Sequence, residues 1–223
     1  TITYTTSDGS LTATSTLELI IRSINDAPVA NIDINATDED VALTVLAAVG
    51  LLANDIDADM DSFSVTQFAM EGLTYTAGVT ATFVGGTVLV NLDGSYTFTP
   101  ALDFNGVVPT ITYTISDGSL TATSTLDLTV RSINDVPVAN PDINATDEDS
   151  ILTVLAAVGL LANDIDADID SLSVTQFAVE GIASTAGVTA TFVGGKVLVN
   201  LDGSYAFTPA LDFNGVVPTI TYT

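Results

Sequence analysis

The sequence lacks cysteine and histidine and contains only three basic residues. Without cysteine it can form neither a disulfide nor a thiolate metal site, so any bound metal must be a hard cation held by oxygen. Its 28 acidic residues give a net charge of −25. Nucleic acids are bound mainly through lysine and arginine, so we expect the chain to bind no nucleic acid and to avoid anionic membrane surfaces for the same reason.

No apolar run is long enough to span a membrane, and no signal peptide opens the sequence. We therefore expect no membrane insertion of this segment, and we expect the sequence to begin within a longer protein. Hydrophobic residues make up 47% of the chain. That share is enough to bury a core, so the acidity does not indicate disorder.

An internal repeat dominates the chain. The pentapeptide TITYT occurs at 1–5, 110–114 and 219–223, so the period is 109 residues. Aligning residues 1–114 on 110–223 needs no gap and leaves sixteen differing positions. A catalytic domain gains little from head-to-tail copying, whereas a spacer gains length with every copy. The repeat therefore favours a structural role, with a recent duplication without consequence as the alternative.

The stretch SINDAPVAN and its copy SINDVPVAN predict the domain boundaries. Asn-Asp before a small residue and a proline is typical of a linker, because the residue before proline favours extended conformations. Three segments result: the C-terminal strands of a preceding repeat at 1–24, a complete domain at 28–133, and a second domain at 137–223 that lacks its last strand.

Period-two alternation indicates β-strands between these linkers. Short runs rich in Val, Thr, Ile and Phe are separated by Asp-Gly or Gly-Gly pairs, which are typical of antiparallel hairpins. About seven to nine such strands in roughly 100 residues predict an all-β fold of tandem Ig-like or cadherin-like antiparallel β-sandwich domains, arranged end to end. The segment LTVLAAVGLLAN at 43–54 predicts a buried strand followed by a short helical turn.

The acidic residues are clustered rather than spread evenly. The clusters are TDED at 37–40, NDIDADMD at 54–61, LDFN at 102–105 and the linker pair Asn25 and Asp26, each with a copy one period later. Carboxylates packed this closely without lysine or arginine repel one another. Calcium takes about six to eight oxygen ligands in a flexible geometry. We therefore predict bound calcium, with a solvated acidic loop as the alternative.

The series Asp55, Asp57, Asp59 and Asp61 has a spacing that lets an extended loop turn several carboxylates towards one point. It lacks the glycine and the final glutamate of an EF-hand loop. The series is therefore predicted to contribute to a calcium site of another kind.

Strand direction predicts which clusters meet. The first strand leaves the linker, so 37–40 lies at the far end of the domain together with 102–105, and the second strand returns 54–61 to the linker. The sequence therefore predicts a calcium site between domains. Its expected ligands are Asp38, Glu39, Asp40 and Asp103 from one domain, Asn134 and Asp135 from the linker, and Asp164, Asp166 and Asp168 from the next domain. The equivalent residues at the preceding linker are Asn25, Asp26, Asp55, Asp57 and Asp59.

The whole chain resembles the cadherin-like and Ig-like extender repeats of giant bacterial adhesins of the RTX type. The phrases that carry the resemblance are NDAPVAN, the triplet DED before a strand, LLANDIDADMDSFSVT, LDGSYTFTPALDFNG and ITYTISDGSLTATSTL. The resemblance implies a secreted filament, tethered to the cell surface, that holds a distal binding module away from the cell. It also implies that calcium stiffens the domain junctions.

The cadherin comparison assigns ligands residue by residue. The similar positions are Glu39 in the first strand region, Asp103 in the later acidic loop, Asn134 and Asp135 in the linker, and Asp166 with Asp168 as the paired aspartates. The chain departs from the cadherin pattern at LDFN, where Asn105 stands in place of a glutamate. The resemblance therefore leaves the number of ions per junction open.

The predicted function is a calcium-stabilised structural extender on the extracellular surface, with neighbouring repeats of the same chain as its partners. The lack of histidine and cysteine argues against an enzyme, although a carboxylate pair can act on glycosides. A carbohydrate- or ice-binding module is the alternative, because the TITYT and TATST strands are rich in threonine. An isopeptide-locked pilin shaft is disfavoured by the single lysine, Lys196.

The repeat register also predicts strand exchange between chains. Residues 1–24 carry the strands that the second domain lacks after Thr223. The tail of one chain is therefore predicted to complete the last domain of another, which gives a head-to-tail open assembly.

Overall fold

The computed structural model describes residues 1–223, which form two compact units, Thr1–Ser132 and Ile133–Thr223. Apart from single turns of 3-10 helix, every regular element is a β-strand, so the all-β prediction is confirmed. None of the helical turns has the length to cross a membrane.

Unit 1 contains twelve strands. They are β1 (Ile2–Ser7), β2 (Thr12–Leu17), β3 (Asp33–Asp38), β4 (Leu43–Val45), β5 (Ser64–Met70), β6 (Leu73–Thr76), β7 (Thr80–Phe83), β8 (Gly86–Val90), β9 (Tyr96–Pro100), β10 (Gly106–Val107), β11 (Ile111–Ser116) and β12 (Thr121–Arg131).

Two sheets of unit 1 share one core. The first sheet has the order β10-β12-β11-β5-β6 with β3 added beside β12, and the second has the order β4-β9-β8-β7. Buried residues of both sheets, such as Phe68 and Tyr113 from the first and Val88 and Phe98 from the second, belong to a single hydrophobic cluster. This is the predicted β-sandwich, in which each strand turns alternate side chains into the core.

One strand pair of unit 1 departs from the antiparallel pattern. Strand β3 pairs with β12 in parallel, from Asp33 opposite Leu126 to Asp38 opposite Arg131, whereas every other pair is antiparallel. The first and last strands of the sandwich are therefore neighbours that run in the same direction. Strand β3 therefore begins near the linker, at Asp33, and ends at Asp38 on the opposite end of the sandwich.

The segment that follows β3 crosses to the second sheet. Strand β4 is followed by a turn of 3-10 helix at Ala47–Val49, so the prediction of a strand and a short helical turn over 43–54 is confirmed. Leu51 is fully buried, and its N–H donates to the carbonyl of Gly94 at 2.9 Å. The turn therefore delivers the chain from the core into the acidic loop at 54–61.

Strands β1 and β2 form a separate two-stranded hairpin. Their register, with Ile2 opposite Leu17, reproduces that of β11 and β12. All twelve residues of this hairpin are exposed. Leu17 is 46% exposed, whereas Leu126, which stands one period later, is fully buried in the sandwich.

Unit 2 contains seven strands in two sheets, with the orders β13-β18-β17-β16 and β15-β14-β19. They are β13 (Leu152–Val154), β14 (Gln176–Val179), β15 (Ile182–Thr185), β16 (Ala190–Phe192), β17 (Gly195–Val199), β18 (Tyr205–Pro209) and β19 (Ile220–Tyr222).

A groove of about 760 Å³ opens on the face of unit 2 where unit 1 carries β3, β10 and β12. It is lined by residues 144–148 and 213–217, together with Leu152 and Phe207. The matching residues of unit 1 lie in and beside β3 and β10, which both pair with β12. The groove therefore lies at the position that β12 occupies in unit 1.

We expect the 223-residue polypeptide to associate head to tail, with residues 12–22 of one copy in the groove of another. This segment differs from β12 only at positions 18, 20 and 21. Leu19 is 69% exposed and Ile21 is 97% exposed, whereas their copies in β12 are buried. Light scattering should show a mean mass that rises with protein concentration, because association buries these apolar side chains.

A synthetic peptide with the sequence of β12 provides the matched control for this association. It should compete for the groove and lower the mean mass. A peptide with threonine in place of Leu126, Leu128 and Val130 should have no effect. A monomer at every concentration, with calcium present, would contradict the expectation.

Candidate metal centre

A short β-bridge holds the linker of unit 1 against its acidic loop. Val29 donates its N–H to the carbonyl of Ile56 at 2.7 Å and accepts the N–H of Ile56 at 3.1 Å. The side-chain amide of Asn25 donates to Oδ2 of Asp117 at 2.8 Å, which adds the β11–β12 turn. Together these segments are named the near-end loops, residues 23–29, 56–61 and 116–120.

Asp59 is the carboxylate that connects the near-end loops most directly. Its Oδ1 accepts the hydroxyl of Ser23 at 2.6 Å, and its Oδ2 accepts the backbone N–H of Asp26 at 2.7 Å. These bonds, first that of Ser23 and then that of Asp26, lower the pKa of Asp59, although the nearby charge of Asp117 opposes them. Asp59 is therefore ionised at neutral pH.

Asp57 presents one satisfied and one unsatisfied oxygen. Its Oδ1 accepts the N–H of Asp59 at 2.9 Å and that of Asp61 at 3.2 Å, which closes the loop on itself. Its Oδ2 is buried and has no hydrogen-bond donor. A buried carboxylate oxygen without a donor costs free energy, and a cation removes that cost.

The donor set of the near-end loops fits a hard cation. The carboxylates of Asp26, Asp57, Asp59 and Asp117 stand in three segments that contain no lysine or arginine. Every side chain that could ligate a metal here offers oxygen, which is what calcium prefers. Residues Asn25, Asp26, Asp57 and Asp59 are the ones through which these loops would hold the ion.

A second acidic group lies at the other end of β3 and is named the far-end loops, residues 38–40 and 102–105. Oδ1 of Asp40 accepts the backbone N–H of Asp103 at 3.1 Å. Oε2 of Glu39, which is only 5% exposed, accepts the side-chain amide of Asn105 at 3.2 Å. The structure therefore brings together Glu39, Asp40 and Asp103, as the strand directions predicted.

Asp38 has a different environment from the other predicted far-end ligands. Its Oδ1 accepts the Nε–H of Arg131 at 2.7 Å. The positive charge of Arg131 compensates this carboxylate, so Asp38 needs no metal for charge balance. Both side chains are partly exposed, and such an ion pair contributes little net stability.

The near-end contacts recur in unit 2. The backbone N–H of Asp135 donates to Oδ2 of Asp168 at 2.7 Å, and Oδ1 of Asp166 accepts the N–H of Asp170 at 3.0 Å. The amide of Asn134 donates to the carbonyl of Asp135 at 3.1 Å. The predicted linker ligands and paired aspartates of this unit are therefore neighbours. Their grouping with residues of the other unit around one ion stays a prediction.

The far-end contacts also recur in unit 2. Oδ1 of Asp149 accepts the N–H of Asp212 at 3.0 Å, and Glu148 accepts the side-chain amide of Asn214 at 3.4 Å. Glu148 is exposed, whereas Glu39 is buried in unit 1. Strand β12 pairs with the end of β3 in unit 1, and unit 2 has no strand at the matching position.

Asp55 turns away from the other aspartates of its series. Its Oδ1 accepts the backbone N–H of Asn31 at 2.7 Å, and the residue is 8% exposed. Asp164 makes the same contact with the N–H of Asn140 at 2.7 Å. Asp61 contacts Asp57 through its backbone N–H, which donates to Oδ1 of Asp57. Asp55 is therefore not one of the carboxylates of this series that the structure turns towards the linker residues Asn25 and Asp26.

Two residues beside Asp55 were missed by reasoning from the sequence. Asp33 and Tyr113 form a hydrogen bond of 2.8 Å, in which the tyrosine hydroxyl donates. Burial raises the pKa of Asp33, and burial together with the charge of Asp33 raises the pKa of Asp55. Burial and the same carboxylates also raise the pKa of Tyr113. Both residues occur in phrases that recur without change, DINATDED and TITYT, but nothing local to either phrase indicates that they meet.

Comparison with known proteins identifies the family of the chain. A model of the bacterial cadherin-like domain matches residues 25–132 and 134–223. The crystal structure of human protocadherin-24 EC1-2 is similar with a TM-score of 0.50 and 18% identity, over 86% of this chain and 81% of that chain. No curated protein matched the chain.

Weaker structural likenesses add no functional argument. The human desmocollin-1 ectodomain gives a TM-score of 0.39 at 13% identity, over 96% of this chain and 37% of that chain. An endo-fucoidan hydrolase from glycoside hydrolase family 107 gives 0.32 at 18% identity, over 94% of this chain and 30% of that chain. The family match covers nearly the entire chain in two successive copies, and the chain belongs to the bacterial cadherin-like domain family, as a tandem of extracellular, adhesion-type structural domains.

Proposed function

We propose that this chain is a calcium-stabilised extender segment of an RTX-type adhesin on the bacterial cell surface, which holds a distal binding module away from the cell. The observation that carries the proposal is the presence of acidic, oxygen-rich loops at both ends of the sandwich, with β3 running between them. In a chain with a period of 109 residues, the far end of each repeat is followed directly in sequence by the linker of the next.

Calcium fits these loops on chemical grounds. The near-end loops hold a buried carboxylate oxygen of Asp57 that has no donor, and the far-end loops hold the buried Glu39. Extracellular calcium modules bind with dissociation constants of about 10⁻⁴ to 10⁻³ M, so the ion is bound outside the cell and lost at cytosolic concentrations. Calcium stabilisation and an extracellular location therefore support each other.

The sandwich supplies length. Strand β12 has eleven residues and, at about 3.3 Å per residue, spans roughly 36 Å. Each further copy adds a unit of this size without a new function. Near-identical copies suit this role, because an extender needs the same length and the same end chemistry at every repeat.

Small-angle X-ray scattering tests the proposal. We expect millimolar calcium to narrow the distribution of maximum dimensions of the 223-residue chain, because bound ions restrict the linker. A chelator should broaden it.

The Asp57→Asn and Asp166→Asn double variant should scatter like the chelated chain even when calcium is present. Asp93→Asn with Asp202→Asn is the matched control, since these carboxylates lie in exposed hairpin turns and bond only to Ser95 and Ser204. Scattering that does not respond to calcium would refute the stiffening role.

A further inference from the structure

A buried tyrosine in unit 1 bonds to the carboxylate of Asp33, and a second carboxylate, that of Asp55, is connected to the tyrosine through Asn31. Tyr113, fully buried in β11, places its hydroxyl 2.8 Å from Oδ2 of Asp33 and 2.7 Å from the carbonyl oxygen of Asn31. The N–H of Asn31 donates in turn to Oδ1 of Asp55 at 2.7 Å. These four residues are named the inner site.

The inner site has more acceptors than donors. Tyr113 has one hydroxyl proton, yet two acceptors lie at 2.7 and 2.8 Å from its oxygen, and only one can receive a full hydrogen bond. Oδ2 of Asp55 is buried and has no donor, in a residue that is 8% exposed. The carboxylate of Asp33 has one further donor, the side-chain amide of Asn54, which lies 3.3 Å from its Oδ1.

No basic side chain balances the two negative charges. Neither Asp33 nor Asp55 accepts a hydrogen bond from lysine or arginine, and Arg131 bonds to Asp38 at the far end. A buried carboxylate is costly unless it is paired or bound to a metal. The buried carboxylate of Asp55 and the half-buried carboxylate of Asp33 therefore leave an excess of negative charge, which a bound cation would compensate.

We infer that the inner site binds one calcium ion within each repeat, separately from the end-loop contacts on which the proposed function rests. The carboxylates of Asp33 and Asp55 balance its charge, and the Asn31 carbonyl and the Tyr113 hydroxyl add neutral oxygens. This mixed oxygen set suits calcium. Magnesium demands a near-octahedral shell and usually keeps several waters, so the flexible geometry of calcium fits these protein oxygens better.

Unit 2 repeats the inner site with its own residues. The hydroxyl of Tyr222 lies 3.2 Å from Oδ2 of Asp142, 3.0 Å from the carbonyl of Asn140 and 3.2 Å from Oδ1 of Asp164. Asn140 donates its N–H to Asp164 at 2.7 Å. The same four residue types therefore converge in both units, although β12 has no counterpart in the second.

An ion at this position connects three parts of the sandwich. Asp33 begins β3, Asp55 follows the 3-10 turn, and Tyr113 lies in β11. The bound ion would fix the linker end of β3 against the core of its own domain. Its effect is on the stability of each repeat, whereas the end loops act on the linker.

Isothermal titration calorimetry of the full 223-residue chain, with calcium as the probe, tests the inference. The double variant Asp55→Asn and Asp164→Asn should bind one ion fewer per repeat than the unmodified chain. The double variant Asp93→Asn and Asp202→Asn should bind the same number as the unmodified chain. An unchanged ion count in the first variant would overturn the inference and would mean that a shared proton holds the two carboxylates together.

A variant in the end loops separates this inference from the proposed function. Asp59→Asn with Asp168→Asn should remove ions of the end loops and leave the inner sites occupied. Loss of ions in this variant alone supports the end-loop sites and refutes the inner site. Loss of ions in the Asp55 and Asp164 variant alone supports the inner site and refutes the end-loop sites.

Terbium luminescence gives a second readout that does not depend on the aspartate variants folding. Terbium replaces calcium at oxygen sites and is sensitised by a tyrosine in contact with it. Tyr113→Phe with Tyr222→Phe should remove most of the sensitised emission, because it removes the tyrosines that contact the ion. Each substitution deletes only one oxygen next to the ion, so the other ligands stay in place. Tyr75→Phe, a change in the ring that stacks on Phe68, should leave the emission unchanged. Full emission from the double variant would overturn the inference.

Discussion

Chelation of calcium is expected to lower the melting temperature of the 223-residue chain on the order of 10 °C or more. Carboxylates in the near-end and far-end loops repel one another once the ion is removed. A ligand at 100 times its dissociation constant stabilises the folded state by about 2.7 kcal/mol per site. A change of 1 kcal/mol shifts the melting temperature of a domain this size by about 4–8 °C, so even one site per unit gives a large effect.

Circular dichroism during heating measures this effect, in millimolar calcium and then in excess chelator. Magnesium should restore little of the loss, because it demands near-octahedral geometry and dehydrates reluctantly. Raising sodium chloride to about 1 M screens exposed charges. If salt alone restored the melting temperature, general repulsion rather than a specific site would explain the loss.

An unchanged melting curve on chelation would mean that the acidic loops are solvated surface. The carbohydrate- or ice-binding alternative would then take first place, and a glycan array or an ice-binding assay would test it. The threonine-rich faces of β11 and β12 would be the surfaces to examine.

The substitution Gly86→Ala is expected to destabilise unit 1 by about 4 kcal/mol or more, which is the range of severe backbone and packing defects. Gly86 begins β8 with φ at 137°, a conformation that side chains rarely adopt. A Cβ there would lie 2.1 Å from the carbonyl oxygen of Thr99, in the neighbouring strand. The clash is with backbone, so no side chain can move aside to relieve it.

Urea denaturation with calcium present measures the loss in the free energy of unfolding. Gly195→Ala should have the same effect in unit 2, since φ there is 143° and the Cβ would lie 2.2 Å from the carbonyl of Thr208. Gly72→Ala is the matched control: φ is also positive, at 78°, but no atom lies within 4 Å of its Cβ. We expect a loss of about 1–2 kcal/mol there. Equal losses at Gly86 and Gly72 would contradict the close approach.

The hairpins were predictable because their signals are local. Alternation in β8 and β9 fixes which side chains face the core, and Asp93-Gly94 between them supplies the turn. Gly94 adopts a φ of 78°, which glycine permits at little cost. Strand and turn are thus specified within about fifteen residues of chain, so a single sequence reveals both.

The parallel pairing of β3 with β12 was not predictable from local pattern. Asp33 and Leu126 are adjacent in the sheet although the rest of the domain separates them in sequence. The same pairing brings Arg131 to Asp38, and no local signal marks that ion pair. Contacts between distant segments depend on the order of strands in the sheet, which alternation does not determine.

The inner site was missed for a related reason. Spacing alone places Asp55 with Asp57 and Asp59 on one side of an extended loop. The bridge between Val29 and Ile56 and the N–H of Asn31 instead turn Asp55 into the domain. The acidic residues of the end loops could nevertheless be singled out, because acidic runs that recur with the period of the repeat are visible in the sequence itself.

The parallel pairing of β3 and β12 also determines how a repeat responds to tension. These are the first and last strands of the sandwich, joined over six residue pairs, and they run in the same direction. A pull on the two ends of the repeat therefore slides β3 along β12, instead of peeling them apart one bond at a time. All the hydrogen bonds between these two strands therefore carry the shear force at the same time. In the extender role proposed above, a pull along the filament would load unit 1 in this way, and the pairing of β3 with β12 would resist it.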